Sequence, residues 1–402
     1  MRIAVAHFTA ELAGGAEVYL HDLLPVLSSR GHRIALVHEL TASPGGEPLD
    51  PSGIAEHVWT LAEMGPGALG RALQAWHPDV VYVNMTLDPA LEGTLLDRFP
   101  CALYLHTYHG TCVSGTKMFS TPRPMPCDRR LGAACLALYL PRRCGGLNPL
   151  EMLRLFATQR RRLDYLGRYR SVLVASARMR RECVRHGVPD ERVIVTPPCV
   201  RVDADPAPPT ARPPGAHLLF VGRLTRLKGA ATLVDAASIV HGRLGRPVRV
   251  TIIGDGPDRD AVARAARRSD AEVTLAGRRS RTQVRDAMRG ADLLVMPSLW
   301  PEPFGLVGTE AGAVGLPAAA FAVGGIPDWL SPGVSGELAP ADPPTPAGLA
   351  DAIVRALGDP DHHQRLREGA WRQAVDLARQ DHAAALEAVL DRVAGPSREE
   401  TP

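Results

Sequence analysis

Glu302 and Glu310 stand eight residues apart and enclose Phe304, Gly305, Leu306 and Val307, shortly after the apolar run Leu293–Met296. A carboxylate accepts hydrogen bonds from sugar or ribose hydroxyls, and the free N–H groups of a turn that opens a helix suit phosphate. A second such place is Gly222-Arg223-Leu224-Thr225-Arg226-Leu227-Lys228-Gly229, directly after the run His217–Val221. Glycine lets the backbone approach an anion closely, arginine grips phosphate oxygens in pairs, and lysine adds a point charge. Taken alone, this basic loop is as readily an ordinary solvated turn, and two isolated glutamates would read as surface residues; Trp300, Phe304 and two glycines after a strand weigh against that for Glu302 and Glu310. Two further turns, Gly254-Asp255-Gly256-Pro257 and Gly277-Arg278, end the two apolar runs between them.

The first half carries a thinner set of groups. Gly14-Gly15 lies between the run Ile3–Phe8 and a helical pattern of Val18, Leu20, Leu23, Leu24 and Leu27; Pro25 inside that pattern predicts a kink. The run Ala102–His106 leads into Thr107-Tyr108-His109. A histidine at a strand end can reach a cleft, although a lone histidine is more often structural, and His106 and His109 both remain candidates. Cys112, Cys127, Cys135 and Cys144 could complete a tetrahedral zinc site, but intervals of 14, 7 and 8 residues lack the close pairs typical of such sites, and free buried thiols are the leading alternative. Between Arg154 and Arg185 ten arginines face only Asp164 and Glu182. Arg160-Arg161-Arg162 interrupts apolar residues there, a pattern that suits either an anionic membrane surface or a solvated helix face.

These loops need strands to carry them. Ile3–Phe8, Ile34–Val37, Val80–Asn84, Ala102–His106 and Ser171–Ser176 read as strands in the first half, and His217–Val221, Val248–Ile253, Val273–Ala276, Asp292–Met296 and Pro317–Phe321 in the second. Several are apolar almost throughout, as in strands buried on both faces of a parallel sheet. Alternation with helical patterns predicts doubly wound βαβ units, which bind ligands beyond the carboxyl ends of their strands. Seven prolines between Pro197 and Pro214 mark the boundary between the halves.

Together, Gly222-Arg223-Leu224…Lys228-Gly229, Ile253-Gly254-Asp255-Gly256-Pro257, Pro297-Ser298…Glu302…Phe304-Gly305-Leu306-Val307…Glu310-Ala311 and Gly324-Gly325-Ile326-Pro327 resemble the retaining glycosyltransferases of family 4. The resemblance implies the GT-B fold: two doubly wound Rossmann-like domains facing across a cleft. It implies an acceptor-binding domain over 1–200 with a cysteine-bearing insertion at 107–150, a hinge at 201–215 and a nucleotide-sugar domain over 216–370. A helical segment at 371–394 would cross back to the first domain, ahead of a tail at 395–402. By position, Arg223 and Lys228 would bind the donor diphosphate. Glu302 would meet the transferred sugar, and Phe304, Gly305, Leu306 and Val307 would offer amides to sugar and phosphate. Glu310 would hold the ribose, and Gly14, Gly15, Gly222, Gly277 and Arg278 would line the donor. His106 is the better match for the family's histidine, which touches a sugar hydroxyl.

The resemblance further implies transfer from a UDP- or GDP-linked sugar to a saccharide, lipid-linked or small-molecule acceptor, with no cofactor needed for catalysis. Rival readings are a sugar-nucleotide epimerase or phosphorylase on the same fold, or a non-catalytic sugar-nucleotide binder. A formal net charge of +3 over 402 residues gives no support to nucleic-acid binding. The opening apolar run is too short for a signal peptide and no run of about 18 apolar residues occurs. The expected location is therefore cytoplasmic, with peripheral membrane contact through Arg154–Arg185 left open.

Overall fold

The computed structural model describes residues 1–12, 14–43, 47–50, 53–198, 207–210 and 215–395. Most of the hinge at 201–215, and the tail beyond Gly395, lie outside the described residues.

The first half contains β1 (Arg2–Thr9), α1 (Gly15–Ser29), β2 (Arg33–Leu40), β3 (His57–Thr60), α2 (Leu61–Trp76), β4 (Val80–Met85), α3 (Pro89–Arg98) and β5 (Cys101–Leu105). An insertion follows with the hairpin β6 (Met118–Phe119) and β7 (Met125–Pro126) and helix α4 (Ala134–Tyr139), and then come α5 (Pro149–Leu166), β8 (Ser171–Val174), α6 (Ala177–Arg185) and β9 (Val193–Val195). The sheet runs β3-β2-β1-β4-β5-β8-β9 and is parallel throughout. Helices cover both faces, so Ile3–Ala6 and Val80–Val83 are wholly buried.

The second half repeats the plan with β10 (His217–Val221), α7 (Ala230–Leu244), β11 (Arg249–Ile253), α8 (Arg259–Ala266), β12 (Glu272–Gly277), α9 (Arg281–Gly290), β13 (Leu293–Met296), α10 (Leu306–Gly312), β14 (Ala318–Phe321) and β15 (Gly336–Ala339). Its parallel order is β12-β11-β10-β13-β14-β15. The chain ends in α11 (Pro346–Gly358), α12 (Pro360–Arg379) and α13 (His382–Ala394). In both sheets the order reverses beside the first strand, which leaves a crevice where loops from β1 and β4, or β10 and β13, diverge.

All ten apolar runs read as strands are strands, with ends shifted by at most three residues. β5 stops at Leu105, so His106 is the first residue beyond it. The short strands β3, β9 and β15 lacked a readable signal, because edge strands need no continuous apolar run. α1 continues through Pro25, which lies on the helix's exposed side. α12 runs unbroken past position 370: its small residues Ala370 and Ala374 let Gly312 of α10 approach so closely that a Cβ there would sit 2.8 Å from the Ala370 carbonyl. The chain leaves the second half at Gln380 rather than 371.

α13 packs against α1, β4 and β5 of the first half. Its anchor is His382. Nδ1 donates to the Pro197 carbonyl at 2.7 Å, and Nε2 therefore accepts from the Tyr19 hydroxyl, also at 2.7 Å. Tyr19 in turn meets the Tyr82 hydroxyl at 2.8 Å. Burial holds the His382 ring neutral, its pKa lowered to about 4. His382→Ala takes the donor from the Pro197 carbonyl and one partner from the Tyr19 hydroxyl, and is expected to destabilise the protein by roughly 2–4 kcal/mol in urea denaturation; a loss no larger than that of an ordinary surface substitution would contradict this role.

Candidate functional site

The loops after β10, β11 and β13 are stacked on one another by backbone bonds. Gly222 N–H donates to Ile253 O, Leu224 N–H to Asp255 O, and Leu299 N–H to Leu227 O. Gly229, with φ of +70°, caps the loop and precedes α7; a Cβ on it would lie 1.9 Å from the Pro297 carbonyl. Gly254 is similarly confined, at 1.9 Å from Gly222 O. This packing brings Lys228 to the β13 loop. Its ammonium donates to Glu302 Oε1 at 2.6 Å and lies 5.6 Å from the centre of the Trp300 ring. Ser298 Oγ donates to the same Glu302 oxygen at 2.6 Å. Glu302 is thus buried and held from two sides, while Lys228 stays partly exposed with N–H donors to spare. Arg223 is exposed on the same loop and makes no ion pair among the described residues.

Gly305, at φ of +95°, turns the chain into α10; Gly308 N–H donates back to the Gly305 carbonyl at 2.9 Å, and the Leu306 and Val307 amides have no partner inside the helix. The Phe304 side chain is buried, and its carbonyl accepts from Trp329 Nε1 at 2.7 Å; only its backbone is placed to meet a ligand. Glu310 sits in the second turn of α10. Burial raises its carboxyl to about pKa 7; Arg281 opposes that shift and Asp22 adds to it. Arg281 opens α9 and grips Asp22 of α1 with two bonds of 2.9 Å, which joins the two halves beside Glu310. Gly277 ends β12 at φ of +70°, and Arg278 beside it is exposed, within electrostatic reach of Glu11 from the first half.

Across the cleft, Gly14 and Gly15 open α1, as expected. A Cβ on Gly14 would meet Glu17 Oε2 at 2.9 Å. His106 follows β5, and its Nε2 lies 2.7 Å from Asn84 Oδ1 at the end of β4. His109 turns instead toward α5, with Nδ1 3.0 Å from Arg162 Nη1; burial lowers its pKa to about 4. Tyr108, between them, donates to the Pro301 carbonyl at 2.8 Å and so ties the β5 loop to the β13 loop.

Two family descriptions match consecutive parts of the chain: Glycosyltransferase Family 4 over residues 13–204 and Glycosyl transferases group 1 over residues 203–373. A protein of Xylanimonas cellulosilytica named D-inositol 3-phosphate glycosyltransferase is 35% identical over 93% of this chain and 90% of its own length. One of the same name from Thermobispora bispora is 28% identical over 95% and 91%. The chain belongs to the group 1 glycosyltransferases. A solved structure of Anabaena HepE with UDP and glucose shares the fold at a TM-score of 0.68 with 19% identity, over 96% of this chain and all of that one. The sucrose-phosphate synthase of Thermosynechococcus elongatus shares it at 0.69 with 20% identity, over 96% and 98%. The fold is GT-B.

Within this glycosyltransferase the sequence motifs mark the second half well and the first half poorly. Asp22, Arg281, Trp300, Tyr108, Asn84, His7 and Glu17 gather at the strand ends beside Ser298 of the β13 motif, and none of these seven was singled out as a site residue in the sequence. Their only signal was position: each lies at or just beyond a strand end, or in the first turns of the next helix.

The four cysteines of the insertion do come close, since burial pushes the Cys144 thiol up to about 12 with Cys112, Cys127 and Cys135 adding to the shift. Three of the thiols have hydrogen-bond partners near in sequence. Cys112 Sγ accepts from Lys117 N–H, Cys135 Sγ donates to Arg130 O, and Cys144 Sγ donates to Leu138 O. Among the described residues no three histidine, cysteine or acidic side chains are arranged to hold a metal ion. Without close cysteine pairs these three meet backbone partners of their own. The basic segment is likewise largely consumed. Arg162 is buried and donates to Thr86 O at 2.7 Å, and Arg168, Arg178, Arg180 and Arg185 pair with acidic residues. Arg160 and Arg161 stay exposed. No helix among the described residues is long and apolar enough to cross a membrane.

The raised Glu310 pKa carries a sign. Between the ordinary carboxyl value near 4.5 and about 7, the folded state holds a proton that the unfolded state has released. Stability should therefore fall as pH rises through that window, by about 3 kcal/mol in all, and level off above it. Glu310→Gln is expected to flatten the curve, seen by urea denaturation at pH 5 and pH 8; identical slopes in the two proteins would assign the dependence elsewhere.

Proposed function

We propose that this glycosyltransferase transfers a sugar from a nucleoside-diphosphate sugar to an acceptor hydroxyl with retention of anomeric configuration. The observation that carries this reading is the Lys228–Glu302–Ser298 cluster at the strand mouth beside exposed Arg223. Two cations at a glycine-bearing loop stabilise the charge that develops on a departing diphosphate. Gly222, the Gly305 turn and the first amides of α10 supply further donors, Glu310 takes the ribose hydroxyls, and Gly14, Gly15, Gly277 and Arg278 border the donor. His106 meets a sugar hydroxyl from the other half.

In the reaction the bond from the anomeric carbon to the β-phosphate oxygen breaks. The acceptor oxygen bonds to the same face, and its proton passes to the departing phosphate. The two cations of the loop do the work of charge stabilisation, so we propose a reaction independent of divalent metal. The donor is UDP- or GDP-linked; the UDP bound in Anabaena HepE is a reason to try UDP-sugars first, and the name of the 35%-identical relative is a reason to try inositol 3-phosphate as an acceptor beside saccharide and lipid-linked ones. A cytoplasmic location suits such donors, and exposed Arg160 and Arg161 are the residues through which contact with a membrane would run.

The test is a panel of UDP-, GDP- and ADP-sugars with these acceptors, read by nucleotide release and by the anomeric proton coupling of the product. A product with the donor's anomeric configuration, formed in the presence of a chelator, is expected. An inverted product overturns retention. A donor isomerised or phosphorolysed without any acceptor would favour an epimerase or a phosphorylase, and donor binding without turnover a non-catalytic role.

A further inference from the structure

His106 ends a buried chain of polar side chains. Glu17 Oε1 lies 3.0 Å from His7 Nε2, His7 Nδ1 lies 3.1 Å from Asn84 Nδ2, and Asn84 Oδ1 lies 2.7 Å from His106 Nε2. The members come from α1, β1, β4 and the residue after β5, and so span three adjacent strands of the sheet. Glu17, His7 and Asn84 are almost wholly inaccessible to solvent.

One contact outside the chain favours a single direction for its bonds. The Asn84 amide nitrogen also points at the Ala16 carbonyl, 3.5 Å away, an acceptor that requires a donor opposite it. His7 Nδ1 must then accept, so the His7 proton is on Nε2 and is donated to Glu17. At the other end Asn84 Oδ1 can only accept, so His106 carries its proton on Nε2 and presents a lone pair on Nδ1. We propose that Glu17, His7 and Asn84 form a positioning chain that fixes the tautomer of His106, so that its Nδ1 serves as the acceptor for a hydroxyl of the bound sugar. This rests on the proposed sugar transfer for the identity of the ligand, but not for the chain itself.

The surroundings keep the ring in that state. Tyr19 of α1 stands edge-on at 5.4 Å between ring centres, and Tyr104 of β5 lies at 4.6 Å. Burial lowers the His106 pKa to about 3, and His7 of β1 and His382 of α13 are the titratable neighbours that add to the shift. An imidazolium would carry a proton on both nitrogens and could not accept. A chain ending in an amide, which offers only a neutral oxygen to Nε2, stabilises the charged ring far less than a carboxylate at position 84 would.

Two measurements decide the matter. Long-range proton–nitrogen correlation spectra of histidine-labelled protein at pH 7 should show His106 and His7 protonated on Nε2 alone, and Asn84→Leu should release His106 to a mixture of tautomers. A wild-type His106 protonated on Nδ1 overturns the chain, whether or not any donor is turned over. In kinetics, Asn84→Asp should bring an acid limb on kcat up into the pH 6–8 range, with activity recovering at higher pH. Glu17→Gln keeps an oxygen for the His7 proton and should stay within about threefold of wild type, while Glu17→Leu should lose tenfold or more in kcat with KM for the donor little changed. Uniform losses at all pH values, with Glu17→Gln no better than Glu17→Leu, would reduce the chain to packing. If no donor is turned over by the wild-type protein, the sugar-transfer reading fails while the spectra still report on the chain.

Discussion

Arg223→Ala and Lys228→Ala are each expected to lower kcat by about 10²–10³, the loss of roughly 3–4 kcal/mol that follows removal of one preorganised charge donor from a transition state. The two substitutions should differ in stability. Arg223 is exposed and makes no ion pair among the described residues, so its loss leaves no group stranded. Lys228 is bonded to buried Glu302, and truncation leaves that carboxylate with Ser298 alone. Lys228→Ala should therefore also destabilise the fold by about 1–3 kcal/mol, an effect that Glu302→Gln in the same chain should largely relieve. Denaturation midpoints and steady-state rates on the same preparations separate the two effects. Full turnover by either variant would remove the diphosphate from this loop.

The second large effect is purely steric. Gly254→Ala should destabilise by about 3 kcal/mol or more, since the new methyl would sit 1.9 Å from the Gly222 carbonyl and the residue holds φ of +134°. Backbone rather than a yielding side chain blocks it. Gly290→Ala, where the space is open and the residue is the last of α9, is the control and should change stability by well under 1 kcal/mol. Midpoints in urea that move equally for both would mean that the β10 and β11 loops are not stacked as described. Because Gly222 opens the loop that carries Arg223 and Lys228, residual activity in Gly254→Ala also reports how rigidly that loop must be held.

How much of this was legible in the residues varies with the half of the chain. The gathering of Lys228, Arg223, Glu302 and Glu310 at one sheet edge was legible because glycines and charged residues directly after apolar runs are a local signature. The neighbours that set their behaviour were not. Asp22 and Arg281 are 259 residues apart in sequence and meet only because the two halves face each other. Arg162 looked like part of a solvated or membrane-facing stripe, yet the register of α5 turns it inward onto the Thr86 carbonyl, while Arg160 and Arg161 face out. Ten strands were visible as apolar runs, whereas β3, β9 and β15 sit at or near sheet edges, where burial demands less of the sequence.

The return of α13 to the first half has a consequence for how the polypeptide is made. Leu386, Val389, Leu390 and Val393 fill the core there, and Arg30 grips Asp381 and Glu387 from outside. On a ribosome the strands of that half emerge first but lack their last helix until the roughly 180 residues beyond Pro198 have been added, a delay of about 10–40 s at ordinary elongation rates. Throughout that interval Tyr19 has no His382 to donate to, and the hydrophobic seat of α13 is open. The unit made first is completed last, so nascent chains stalled before His382 should engage chaperones that the finished chain ignores.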